Sequence, residues 1–158
     1  MNKPVVFAGS FDPVTNGHLD IIRRSRRIFG DVVVLIMPNK QKNPLFSLEE
    51  RAELVRRALQ DDMQNVRVEI AEGLLCDYLK RQGLSVVVRG IRNATDLDYE
   101  QRAEAYNKLF FPALETVYLS AKNEYAFISS SSVKEAFLYG GDISSLVPAC
   151  VLESLRKK

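Results

Sequence analysis

VVFAGSFDPVTNGH, residues Val5 to His18, is the stretch on which the fold of this chain turns. Val5 to Ala8 is a continuous apolar run, the pattern of a strand buried on both faces. It ends at Gly9, and a helical pattern follows, with Ile21, Ile22, Ser25, Ile28 and Phe29 on one face before a stop at Gly30. A strand that feeds a helix through a glycine opens an α/β fold, and the same alternation continues outward from it. Further strands are expected over Val32 to Met37, Val66 to Ile70, Val86 to Arg89 and Thr116 to Leu119. Ser47 with Glu50 three residues on forms a capping box, and Leu48, Ala52, Val55 and Leu59 continue that helix inward-facing. Other helices are expected from Leu74 to Arg81, Thr95 to Leu109, Ser130 to Tyr139 and Pro148 to the C-terminus. The pattern predicts one α/β domain over residues 1–158, a doubly wound, parallel five-stranded sheet with a C-terminal helical segment.

Bulk properties narrow the class. A chain of 158 residues that is 46% hydrophobic and 27% charged has the make-up of an ordinary soluble domain, large enough to need neither disulfides nor a structural metal. Cys76 and Cys150 lie far apart, without a CxxC or a nearby histidine, and read as free thiols of a reducing cytosol. Met1 to Pro4 is followed by too short an apolar run for a signal core or a membrane span, so a cytoplasmic location without membrane attachment is expected. A net charge of only +2 argues against a dedicated nucleic-acid binder. Arg23, Arg24, Arg26 and Arg27 read as a solvated helix face.

In doubly wound sheets ligands bind beyond the carboxyl ends of the strands, so the residues there matter most. Gly9-Ser10-Phe11-Asp12-Pro13, followed by Thr15-Asn16-Gly17-His18, leaves strand one and enters helix one. The glycine lets a ligand approach the backbone, and the helix N-terminus offers unpaired N–H groups to phosphate oxygens. His18, the one histidine, is either a packed or surface residue or a ligand to those phosphates. Arg89-Gly90-Ile91-Arg92 stands at the end of the fourth strand, either as a surface pair or as a bidentate phosphate clamp. Ser129 to Ser132 enter another helix, and four hydroxyls exceed what one N-cap requires. Lys42, in the loop after strand two, is by type a solvent-facing residue.

These stretches resemble a family. The first looks like the T/HxGH signature of the nucleotidyltransferase superfamily, in the TNGH form carried by phosphopantetheine adenylyltransferases. Arg89 to Arg92, with Tyr99-Glu100 beyond, resembles that family's RGxR segment followed by YE, and Ile128 to Glu135 is similar to its ISSSxVKE element. The resemblance spans essentially the whole chain and implies a Rossmann-like nucleotidyltransferase fold. It assigns Gly9, Ser10, Phe11, Gly17, His18, Gly90, Ile91, Arg92, Glu100 and Tyr125, Ala126, Phe127, Ile128, Ser129, Ser130 and Ser131 to ATP. It assigns Ser10, Lys42, Leu75 and Arg89 to 4'-phosphopantetheine, and catalysis to His18, Lys42 and Arg92. Ser10 stands where threonine is frequent, Ala8 where proline is, Tyr125 where tryptophan is, and Leu75 where methionine is. The family also implies a homohexamer and feedback binding of coenzyme A.

The implied chemistry follows from charge. A phosphate monoester with a second pKa of about 6 is already nucleophilic at neutral pH, so no general base and no covalent intermediate are required. Cationic and N–H groups must instead draw two polyanions together, with Mg²⁺ arriving on ATP, since no carboxylate cluster resembles a protein-built cage. A nucleotidyltransferase with a different phosphate acceptor and a non-catalytic nucleotide-binding module are the rival readings.

Overall fold

The structure is a computed structural model and describes residues 3–41, 43–62 and 64–158. Among these, five parallel strands pair in the order β3-β2-β1-β4-β5, with β1 Val5–Gly9, β2 Val32–Ile36, β3 Val66–Ile70, β4 Val86–Ile91 and β5 Glu115–Ser120. The helices are α1 Asn16–Phe29, α2 Leu48–Leu59, α3 Leu75–Gln82, α4 Ala94–Phe110, α5 Ser130–Leu138 and α6 Ala149–Leu155.

Strand alternation builds two cores. Val5, Phe7, Val32, Val34, Ile36 and Val88 face one side, against Ile22, Val55, Val133, Val151 and Leu155 of α1, α2, α5 and α6. Val6, Ala8, Val33, Leu35 and Val87 face the other, against Tyr78 and Leu79 of α3 and Leu114. Apolar residues on both faces suit inner strands, so β1 and β2 are buried along almost their whole length. The sheet order reverses between β1 and β4, which places the switch point beside Gly9 and Gly90.

Element boundaries differ from the sequence reading where hydrogen-bonded register decides them. β4 runs on through Gly90 and Ile91, because Arg89, Gly90 and Ile91 pair with Tyr118, Leu119 and Ser120; the same ladder lengthens β5 to Ser120. β1 includes Gly9, opposite Ile36, while β2 stops short of Met37. α4 begins at Ala94 rather than Thr95, capped by Asn93, whose side chain accepts the Asp96 N–H at 2.9 Å. Leu74 and Pro148 are caps, Tyr139 ends α5 as its cap, and α6 stops at Leu155. β3 is an edge strand with Arg67 exposed, not an apolar run. Ile28 is exposed, so the inner face of α1 is Leu19, Ile21, Ile22 and Ser25, with Phe29 packed against the core at its end.

The arginine run of α1 is not simply solvated either. Arg23 donates to Asp62 at 2.6 Å, Arg26 reaches the Asp62 carbonyl at 3.0 Å, and Arg24 donates to the Ser120 carbonyl at 2.7 Å. These contacts tie α1 to the turn before β3 and to the end of β5.

Candidate active site

Thr15 caps α1, its Oγ1 accepting the His18 N–H at 3.3 Å, and the Thr15 N–H donates back to His18 Nδ1 at 3.0 Å. This reciprocal capping box fixes the imidazole in the first helical turn. Because Nδ1 accepts that N–H, a neutral ring carries its proton on Nε2. The ring lies edge-on to Phe11, with centroids 5.0 Å apart. Burial pushes the His18 pKa down to about 4, helped by the positive charges of Arg92 and Arg89. His18 is therefore a neutral hydrogen-bond donor at pH 7.

The β1–α1 loop is tightly built. Phe11 has φ 44°, in the left-handed region, and its ring folds back so that a Cβ on Gly9 would lie 3.1 Å from it. The close approach that Gly9 permits is thus taken up in part by the protein's own phenyl ring. Gly90 is constrained in the same way, since its Cβ would meet Ile21 Cγ1 at 3.1 Å. Ser130 Oγ donates to the Pro13 carbonyl at 2.8 Å, which sets the start of α5 against this loop.

Both arginines at the switch point are held by carboxylates. Arg89 donates to Glu100 through Nε and Nη2, each at 2.7 Å, and to the Ala8 carbonyl through Nη1 at 2.6 Å. Arg92 donates to Asp96 through Nε at 2.8 Å and Nη2 at 3.1 Å, and to the Ile128 carbonyl through Nη1 at 3.1 Å. Planar bidentate pairs of this kind fix the guanidinium orientation. Lys134 is likewise paired, donating to Asp12 at 3.1 Å, and is not a solvated lysine.

Two adjoining cavities open here. The smaller, about 320 Å³, is lined by twelve of the residues that the sequence reading gave to ATP: Gly9, Ser10, Phe11, Gly17, His18, Gly90, Arg92, Glu100, Tyr125, Ile128, Ser129 and Ser130. Ile91, Ala126 and Phe127 do not line it; Ile91 ends β4, and Phe127 is 69% exposed. Ser131 lies instead at a small neighbouring cleft with Ser10, Asp12 and Lys134. The larger cavity, about 830 Å³, brings together Ser10, Leu75 and Arg89 with Met37 to Gln41 of the β2–α2 loop. Ser10 and Arg89 line both cavities. Lys42 lies outside the described residues. Thr15 and Tyr99 belong to the motif stretches but carry no assigned role there; in the structure Thr15 orients His18 and Tyr99 lines the smaller cavity, as does Asp96, which the sequence does not single out. For Asp96 the signal is its i,i+4 spacing from Arg92.

Among the described residues, no group of three or more His, Cys, Asp or Glu side chains is arranged to hold a metal ion, and no helix is long and apolar enough to cross a membrane.

Residues 6–136 match the cytidylyltransferase-like domain family. A phosphopantetheine adenylyltransferase of Dictyoglomus turgidum is 47% identical over 153 residues, covering 97% of this chain and 95% of its own. Those of Thermotoga neapolitana and Syntrophomonas wolfei are 48% and 44% identical, covering 97% and 99% of this chain and 94% and 96% of theirs. Among solved structures, a bifunctional NMN adenylyltransferase/ADP ribose pyrophosphatase from Francisella tularensis superposes over 99% of this chain with a TM-score of 0.73 at 19% identity, a likeness of fold alone. This chain spans about half the length of that protein, 49%. Identity at this level over nearly the full length of both partners settles the family: the chain belongs to the phosphopantetheine adenylyltransferases, on a cytidylyltransferase-like domain.

Proposed function

We propose that this chain moves the AMP half of ATP onto 4'-phosphopantetheine, giving dephospho-coenzyme A and pyrophosphate. The observation that carries this reading is the pair of cavities that meet at Ser10 and Arg89, one of them lined by His18 and Arg92 and the other by the β2–α2 loop and Leu75. ATP fits the smaller, with its helix N-termini and serines, and the acceptor fits the larger, whose wall includes Leu75, Val87 and Leu114 for an uncharged arm.

In the reaction, an acceptor phosphate oxygen attacks the α-phosphorus in line. A new P–O bond forms, the bond from the α-phosphorus to the bridging oxygen breaks, and its electron pair leaves on pyrophosphate. The acceptor is a dianion at neutral pH, so no proton has to be removed. His18, neutral and with its proton on Nε2, donates to an α-phosphate oxygen as charge builds there; Arg92 and Lys42 supply positive charge. The carboxylates nearest the site do not fit a resident metal: Arg92 engages Asp96, Arg89 engages Glu100, and Lys134 with two backbone N–H groups engages Asp12. Mg²⁺ enters with ATP as part of the substrate.

The family likeness also implies assembly as a homohexamer in the cytoplasm. Its support here is α4, a 17-residue helix with no buried residue that exposes Tyr99, Tyr106, Leu109 and Phe110. Feedback binding of coenzyme A at the same cavities belongs to this reading and is measured by competition against labelled phosphopantetheine. The decisive test is mass spectrometry of the product from ATP and phosphopantetheine, alongside pyrophosphate release with nicotinamide mononucleotide and glycerol phosphate as acceptors. Release with one of those and none with phosphopantetheine would sink the assignment.

A further inference from the structure

Asp12 and Lys134 sit in two motif stretches far apart in the chain, and neither has a part in the reaction outlined above. They meet at 3.1 Å. Asp12 is 5% exposed, and its carboxylate also accepts the backbone N–H groups of Leu45 and Phe46, each at 2.9 Å. Arg51 of α2, 4% exposed, stands 3.5 Å from Asp12 Oδ1 and donates to the carbonyls of Phe46 at 2.8 Å and Ser10 at 3.2 Å. One buried carboxylate therefore joins the β1–α1 loop, the far end of the β2–α2 loop, α2 and α5. Burial alone would raise the Asp12 pKa, but the two backbone N–H groups, Lys134 and Arg51 outweigh it and hold it below 3.8. The group is ionised throughout the neutral range. The near half of the same loop, Met37 to Gln41, lines the larger cavity.

We propose that Asp12 is a positioning residue for the acceptor: its carboxylate pins the β2–α2 loop to the β1–α1 loop, so that the loop's wall of the larger cavity is set before the acceptor arrives. The inference rests on the larger cavity being the acceptor's. A loop anchored at its far end loses less conformational freedom on binding, and that saving appears as acceptor affinity. Without the charge, two buried or half-buried cations lose their counter-charge and a single oxygen is left to accept from the N–H groups of Leu45 and Phe46, so the loop's anchor is weakened.

Asp12→Asn in the full chain tests this, with pyrophosphate release measured while each substrate is varied in turn. The KM for phosphopantetheine rises by about tenfold while the KM for ATP stays within about twofold. Equal rises in both, or none in either, overturn the positioning role, because general damage to the fold would not choose one substrate. The unsubstituted chain is the control for the acceptor reading itself: no pyrophosphate with phosphopantetheine rejects that reading, whatever the variant does. Should Asp12→Asn fail to fold, Lys134→Met decides, since it removes one partner of Asp12 at a side chain 25% exposed. A rise of about threefold confined to the acceptor KM supports the proposal, and a rise confined to ATP, or no change, overturns it.

Discussion

Replacing His18 by alanine separates two properties that the structure ties to one imidazole. In the folded protein the ring titrates at about 4, against 6.5 for an unstrained histidine. Between those values the unfolded chain holds more protons than the folded one, so the folded state loses stability as pH falls from 6.5 towards 4 and recovers it as pH rises. At about 1.4 kcal/mol per pH unit the gap sets an upper limit of about 3.5 kcal/mol, lowered by solvent screening because His18 keeps part of its surface open to the cavity. In His18→Ala that slope disappears. At pH 8 the variant is less stable than the parent by about 1 kcal/mol, for the lost Thr15 N–H acceptor; at pH 5 the difference shrinks or reverses. Turnover falls by about 10²–10³ at both pH values, the usual consequence of removing one transition-state donor.

Because His18 is the one histidine, a proton NMR titration follows its ring resonance without assignment. The midpoint is expected near 4 in the free protein and higher with ATP bound, since phosphate charge favours the imidazolium. Thermal unfolding at pH 5 and pH 8 gives the stability terms, and pyrophosphate release gives turnover. A midpoint near 6.5, or a variant that turns over like the parent, refutes the reasoning.

Lys42→Ala weakens binding of phosphopantetheine more than binding of ATP, as separate calorimetric titrations would register; equal losses count against its assignment. Arg89→Lys keeps the charge but loses the two-pronged grip on Glu100, and the acceptor KM rises by about tenfold in steady-state assays. Gly90→Ala drives a methyl to 3.1 Å from Ile21 Cγ1 and lowers stability by about 1–3 kcal/mol in denaturant unfolding. Ser47→Ala removes the Oγ that accepts the Glu50 N–H at 3.1 Å, costing about 1 kcal/mol and roughly 2–4 °C in melting temperature.

What the sequence made legible followed from periodicity and capping. Ser47 and Glu50 located the start of α2 because both halves of its cap are local, and the apolar runs of β1 and β2 announced strands covered on both faces. The carboxyl ends of β4 and β5 were not legible, since their last pairs depend on each other's register and not on side-chain type. Nor was the start of α4: a helix without a buried residue leaves no apolar stripe to follow. At the site, the cation types were visible but their partners were not. Arg89 finds Glu100 eleven residues on and Asp12 finds Lys134 at a separation of 122, distances that only the folded sheet makes short.

Those pairings bear on how the site can bind anions at all. A carboxylate beside an arginine competes with phosphate for its charge, which at first favours reading Glu100 and Asp96 as obstacles. A guanidinium has five N–H groups, however, and both Arg89 and Arg92 commit three, through Nε, Nη1 and Nη2. Each keeps one N–H on each terminal nitrogen. The carboxylates therefore fix the direction of those remaining donors without exhausting them, and a phosphate oxygen can be received with no ion pair broken. Preorganised donors of this kind lose little freedom when the substrate arrives. The switch point between β1 and β4 supplies the place, and the acidic partners carried on α4 supply the aim.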